Sequence, residues 1–184
     1  IQLSFKNYGS KEYFKRRSFR IFQKDQISLE DFSKLLSCLS SIKEKELPFA
    51  KYLYSSAGAV YPVQVYIYIK ENRIENMKEG YYYYNPSKHT LSLLSNNNDA
   101  RDIHVKDNKP VYDESAFSIF LISNLKAITP LYGKDKGQIY SYIEAGIITE
   151  LLKVEGINLN IGFCEIGLID FDKIKHNFKL DSSE

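Results

Sequence analysis

Cysteine, histidine and surplus charge are all scarce in this chain of 184 residues. Two cysteines, Cys38 and Cys164, cannot build a disulfide framework. His89, His104 and His176 are scattered, and no C-x-x-C or H-E-x-x-H spacing sets two ligands together, so no metal site is expected. Basic residues number 25 against 23 acidic ones, interspersed along the chain. Tracking a phosphate backbone needs clustered surplus charge, which excludes a nucleic-acid partner. No apolar run approaches the roughly 18 residues of a membrane span, and the amino end, IQLSFKNYGS, is no signal peptide. Those absences predict a soluble, cytoplasmic protein.

What is present is an ordinary globular composition, 43% hydrophobic and 26% charged, long enough for one domain with a real core. Residues 1–184 read as that single domain. With no initiating methionine and an abrupt end at KLDSSE, the chain is expected to be a piece of a larger multidomain protein.

Mixed α and β structure follows from the hydrophobic pattern. Residues 10–20 form an amphipathic helix with Ser10 as its cap, and residues 27–42 a second. In the second, Ser28 and Asp31 make a capping-box-like start and Phe32, Leu35, Leu36 and Leu39 share one face. Lys43 to Pro48 is a loop. Residues 63–70 alternate as a strand, and residues 80–94 make a hairpin turning at Asn85-Pro86-Ser87-Lys88. Its run of tyrosines is the pattern of sheet packing. Residues 95–102 are polar and irregular, and residues 115–123 suit a buried strand. A helix over 137–156 would bury the stripe Ile139, Ile143, Ile147, Leu151 and Val154, before a strand at 159–167 and a short helix at 170–178.

Three local groups could carry chemistry. Arg16, Arg17, Ser18 and Arg20 place three guanidiniums and a hydroxyl within five residues, which suits a phosphate, or else a solvated basic face. Ser55, Ser56, Ala57, Gly58 and Ala59 are five small residues before a strand. They make either a tight turn or a floor on which something flat can lie. Glu144-Ala145-Gly146 puts a glycine into a helix pattern at about 1 kcal/mol of propensity, and could turn backbone N–H groups toward a ligand.

In this order, RRSFRIF, SSAGAVYPVQVYI, LYG with YSYIEAGIITELL, and NIGFCEIG with IDFD resemble the FMN-dependent nitroreductase superfamily. Within it they are most similar to the thiazoline and oxazoline oxidase domains of nonribosomal peptide synthetases, from about Tyr13 to Phe178. The resemblance implies an α+β fold, a mainly antiparallel sheet flanked by helices, in an intertwined homodimer with FMN as cofactor. It puts Arg16 and Ser18, with Arg17 beside them, on the FMN phosphate and Arg20 near the ring's N1 and C2 carbonyl. Ser55, Ser56, Ala57 and Gly58 would lie against the ring, and Gly162, Ile166 and Gly167 would line the phosphate and ribityl end. Main-chain N–H groups of Glu144, Ala145 and Gly146 would face N5 and O4.

The reaction implied is oxidation of a thiazoline or oxazoline, tethered to a carrier protein, to the aromatic ring, with oxygen as final acceptor. Two other readings stay open: a flavin or nitro reductase using NAD(P)H, and a dehydrogenase of another carrier-bound aminoacyl group. Related azoline dehydrogenases carry Lys-Tyr before a glycine, where this chain has Leu131-Tyr132-Gly133. Tyr132 is the catalytic candidate, with Lys134 and Lys136 nearby in sequence.

Overall fold

The structure, a computed structural model, describes residues 3–4, 15, 17–43 and 49–180. Most of the helix expected at 10–20, and Arg16 with it, lies outside these residues; within it, 17–20 are irregular. The expected loop at 43–48 also lies outside them, except for Lys43.

Helix α1, Leu29–Ser37, begins where its sequence says it should: Ser28 caps it, its Oγ accepting the Asp31 N–H at 3.0 Å. Phe32, Leu35, Leu36 and Leu39 are all buried to within 2%. Complete burial of one such side chain contributes about 1.5–3 kcal/mol. The chain turns out of the helix earlier than the periodicity suggested, because Ser41–Ile42 (β1) pairs with Lys51–Tyr52 (β2).

The main sheet contains β3 (Val63–Ile69), β4 (Gly80–Asn85), β5 (Thr90–Ser95) and β6 (Phe117–Ser123), in the order β5-β4-β3-β6 with every pair antiparallel. The β4–β5 hairpin turns where expected, the Asn85 side chain accepting the N–H groups of Ser87 and Lys88. Strand alternation divides the core in two. Val63, Val65, Ile67, Ile69, Tyr82 and Tyr84 face α1 and the long helix α3 (Leu125–Asn158). Tyr66, Tyr68 and Tyr81 face the opposite layer, built from a 3-10 turn (Ala100–Ile103), helix α2 (Lys109–Glu114) and the C-terminal segment. The buried hairpin tyrosines anchor their hydroxyls: Tyr81 on Asp99, Tyr82 on the Lys78 carbonyl and Tyr84 on the Leu36 carbonyl.

Three expectations need correction. Helix α3 runs from Leu125 to Asn158, with Pro130 inside it and a break at Gly133 (φ 75°, ψ 168°) that returns Gly137 against Ile128. The face it buries carries Ser141, Glu144, Ile148 and Leu152. Of the apolar stripe, Ile147 and Leu151 pack partly against the core, whereas Ile139, Ile143 and Val154 are exposed. The strand expected at 159–167 does not form: Asn160 is left-handed (φ 56°), and residues 161–168 run without regular pairing. The closing helix is two 3-10 turns, Phe171–Lys173 and Lys175–Phe178. Among the described residues no helix is long and apolar enough to cross a membrane.

Candidate active site

Between β2 and β3 the chain makes a left-handed turn: Gly58, Ala59 and Tyr61 have φ of 61°, 54° and 53°. For alanine and tyrosine that conformation costs about 1–3 kcal/mol each, so surrounding groups must hold it. Ser56 and Glu144 do so. Ser56 Oγ accepts the Tyr61 N–H at 2.8 Å, and its hydroxyl bonds to the Glu144 carboxyl. Glu144, 2% exposed, also accepts the Val63 N–H at 3.1 Å on Oε1. Burial pushes its carboxyl above the usual range, and those two hydrogen bonds partly offset the shift.

The turn walls a recess of about 230 Å³, open to solvent, with Ser55, Ser56 and Ala57 on one side and Tyr140, Ile143 and Ile147 on the other. Tyr132 stands at its edge. A Cβ added to Gly58 would lie 2.8 Å from the Tyr132 hydroxyl, and the Tyr132 ring packs edge-on against Tyr140 at 4.8 Å. Gly58 is thus small because a phenol comes against it. Lys134 and Lys136 are exposed.

A second group forms where residues 17–20 run beside 162–165. The Phe19 N–H donates to the Phe163 carbonyl at 2.8 Å, and Gly162 faces the Phe19 ring so closely that a Cβ would stand 2.7 Å from Cγ. That contact sets Ser18 and Arg20 alongside Cys164 and Glu165. Ser18 bonds to the Glu165 carboxylate, which Lys153 neutralises at 2.9 Å while also pairing with Glu150 at 3.0 Å. Burial raises the Cys164 thiol while the positive charge of Arg20 acts against that. Arg17 lies over the Phe19 ring, its guanidinium carbon 4.9 Å from the centroid. Ile166 is half-buried and Gly167 is exposed, with open space where its Cβ would be.

The candidates therefore collect into two groups, one around Ser18, Arg20 and Gly162, the other around Ser56, Gly58, Tyr132 and Glu144. One expected role fails. Glu144, Ala145 and Gly146 sit deep inside α3, where backbone N–H groups are committed to the helix's own ladder. Glu144 contributes its side chain instead. Sequence reading missed Tyr140 and the carboxyl of Glu144; the four-residue spacing from Tyr140 to Glu144 was the available signal. Among the described residues no cluster of His, Cys, Asp and Glu could hold a metal ion.

These residues fit a flavin mononucleotide. An exposed guanidinium and hydroxyl suit its phosphate, and a recess floored by small side chains suits a planar ring.

A Methanocaldococcus jannaschii protein assigned to the nitroreductases is 23% identical over 171 residues, covering 90% of this chain and 81% of that protein. The indigoidine synthase of Dickeya dadantii is 25% identical over 150 residues, 80% of this chain but 9% of the synthase. That of Streptomyces lavendulae is 29% identical over 138 residues, 67% of this chain and 10% of the synthase. Among solved structures, a chain of the Escherichia coli microcin synthetase McbBCD complex with truncated pro-MccB17 bound shares the fold. Its TM-score is 0.73 at 19% identity, over 99% of this chain and 70% of that one. A Ralstonia eutropha structure also gives a TM-score of 0.73, at 15% identity, over 100% of this chain and 82% of that one. With the sequence model of the nitroreductase family matching residues 13–184 and the sheet and helices arranged as described, the chain belongs to the nitroreductase family.

Proposed function

We propose that the chain is an FMN-dependent oxidase that converts a carrier-protein-tethered thiazoline or oxazoline to the aromatic thiazole or oxazole. The observation that carries this reading is the Tyr132 hydroxyl, set against Gly58 at the edge of the small-residue recess. Aromatising an azoline removes a proton from the carbon flanked by the thioester carbonyl and the C=N bond, and a hydride from the neighbouring CH₂. Bound FMN would supply the two-electron acceptor, restored by oxygen with release of hydrogen peroxide. Tyr132 would orient the substrate ring and relay its proton. Arg16 and Ser18, with Arg17, would hold the cofactor phosphate and Arg20 would lie near the ring's N1 and C2 carbonyl, while Ile143 and Ile147 give the recess an apolar wall.

Two likenesses support it. The chain spans about a tenth of each indigoidine synthase, so units like it occur inside much larger synthases, and a carrier domain of such an assembly would be its partner. Its fold also recurs in a synthetase complex that holds truncated pro-MccB17. The functional unit would be a homodimer, because α3 exposes Ile139, Tyr142 and Ile143, and Ile143 also lines the open recess.

The decisive measurement is anaerobic loss of the flavin's yellow absorbance. A carrier-bound thiazoline should bleach the FMN-loaded protein in one turnover while NADPH leaves it yellow. Bleaching by NADPH alone would make the chain a flavin or nitro reductase, the reading that its likeness to the M. jannaschii protein favours. A protein that takes up no FMN would remove both.

A further inference from the structure

Tyr132 and Tyr140 both belong to α3, at a spacing that keeps two side chains apart in an unbroken helix. Residues so spaced lie about 12 Å apart along a helix axis. Here the two ring centroids are 4.8 Å apart and the rings cross at 78°. The break at Gly133 brings them together. Its φ of 75° and ψ of 168° fall in a region that essentially only glycine enters. A Cβ there would meet nothing within 4 Å, so the position is glycine for its backbone conformation and not for want of room. After the break the chain returns with Gly137 against Ile128, where a Cβ would stand 3.0 Å from Cγ2.

The break therefore fixes the Tyr132 ring between two contacts. Gly58 is one of them: a Cβ on it would lie 2.8 Å from the Tyr132 hydroxyl and 3.5 Å from Cε2. The edge of Tyr140, half-buried in the wall of the recess, is the other. Both contacts depend on one face of α3. One helical turn beyond Tyr140, Glu144 holds the turn that carries Gly58, accepting the Val63 N–H and bonding to the Ser56 hydroxyl. Glu144 thus fixes the turn while Tyr140 fixes the ring that meets it.

We propose that Tyr140 is a positioning residue, its ring edge holding the Tyr132 hydroxyl over Gly58 at the rim of the recess, with the glycine at 133 supplying the break that makes this contact. The bearing of this on catalysis rests on the oxidase reading, in which Tyr132 orients the substrate ring and relays its proton. Such a relay is sensitive to placement, because an error of about 1 Å costs as much as 10²-fold in rate.

Two measurements on the FMN-loaded whole chain test it. In the first, fluorine NMR follows 3-fluorotyrosine incorporated in place of Tyr132. Gly58 crowds the Cε2 side of the ring, so the fluorine should take the other side and give one resonance. Tyr140→Leu should free the ring to turn and add a second resonance, and Tyr140→Phe, which keeps the edge, should restore the single one. Gly133→Ala, whose methyl meets nothing, should act like Tyr140→Leu through the backbone alone. In the second, anaerobic bleaching by a carrier-bound thiazoline should slow about 10-fold in Tyr140→Leu, near the upper end of what an aromatic pair contributes, and recover in Tyr140→Phe. Added to Tyr132→Phe, Tyr140→Leu should slow bleaching no further, because it acts through the hydroxyl already removed. A single, unmoved resonance in Tyr140→Leu would overturn the proposal, as would a full second loss in the double variant. Bleaching by Tyr132→Phe at the parental rate would instead remove Tyr132 from the oxidase reading, whatever the resonances show of the ring's placement.

Discussion

At the scale of single residues, Tyr132 carries chemistry only under the proposed function, whereas Glu144 carries the architecture of the recess. Under the proposed function the Tyr132 hydroxyl orients the substrate ring and relays its proton. Tyr132→Phe keeps the ring that packs on Tyr140 and loses only the hydroxyl beside Gly58. FMN binding and fold should survive, while single-turnover bleaching by a carrier-bound thiazoline slows by about 10²-fold, the lower end of what acid–base catalysis contributes. An unchanged rate would assign Tyr132 to packing alone. Glu144 behaves differently, because its hydrogen bonds hold the turn rather than face a substrate. Glu144→Ala leaves the Val63 N–H without its acceptor and should cost about 1–3 kcal/mol in denaturant melts. Glu144→Gln still offers an oxygen to that N–H, and should be as stable as the parent at pH 7 or more so. The sign follows from the raised carboxyl. Between its ordinary pKa and its folded value the native state holds more protons than the unfolded one, so stability falls as pH rises through that window. In Glu144→Gln that slope should disappear.

At the scale of elements, the layer formed by α2 and the 3-10 turn before it carries an acid sensitivity of the opposite sign. His104 ends that turn, is 8% exposed and stacks on Tyr112 of α2 at 4.8 Å, with neither ring nitrogen hydrogen-bonded among the described residues. Burial lowers its pKa, as do Lys70 and Lys109, while Asp113 opposes them. The unfolded chain then binds a proton below about pH 6.5 that the native one refuses, so stability drops as pH falls through that value. Urea midpoints at pH 7.5 and 5.5 should differ more in the parent than in His104→Phe, and equal differences would refute the assignment. The elements also show what a sequence reveals by itself. Helix α1 and the β4–β5 hairpin were legible because Ser28 and Asn85 signal through local hydrogen bonds, to Asp31, Ser87 and Lys88. The buried face of α3 was not, because its strongest apolar stripe is not the one that the chain's own core receives. Residues 159–167 misled for another reason: their strand-like composition meets no neighbouring strand. In the site, the approach of Ser18 and Arg20 to Gly162 spans most of the chain, and no local pattern records it.

At the scale of the whole molecule, the unused stripe of α3 becomes an argument about assembly. Ile139, Tyr142 and Ile143 are 54%, 67% and 56% exposed, and Leu131, before the helix break, is 63% exposed. Large apolar side chains clustered on one helix face mark a contact surface. Gly146 lies seven residues beyond Ile139 on the same face, with nothing within 4 Å of where its Cβ would be. A glycine there costs helix stability but lets a second backbone approach closely. Ile143 belongs both to this face and to the wall of the recess, so a second copy docked on α3 would also cover the recess. Ile143→Glu changes a side chain that is largely solvated within one chain, so the fold should persist, with unchanged circular dichroism. Sedimentation should show the parent as a dimer and the variant as a monomer, because the charge would have to be buried at the new contact. FMN affinity should fall with dimerisation, by at least about 10-fold, if the partner supplies even one charge-assisted hydrogen bond worth about 1.5–3 kcal/mol. A parent chain that sediments as a monomer and still holds FMN tightly would show that α3 presents this face to some other domain. A variant that becomes monomeric with its FMN affinity intact would instead separate assembly from cofactor binding.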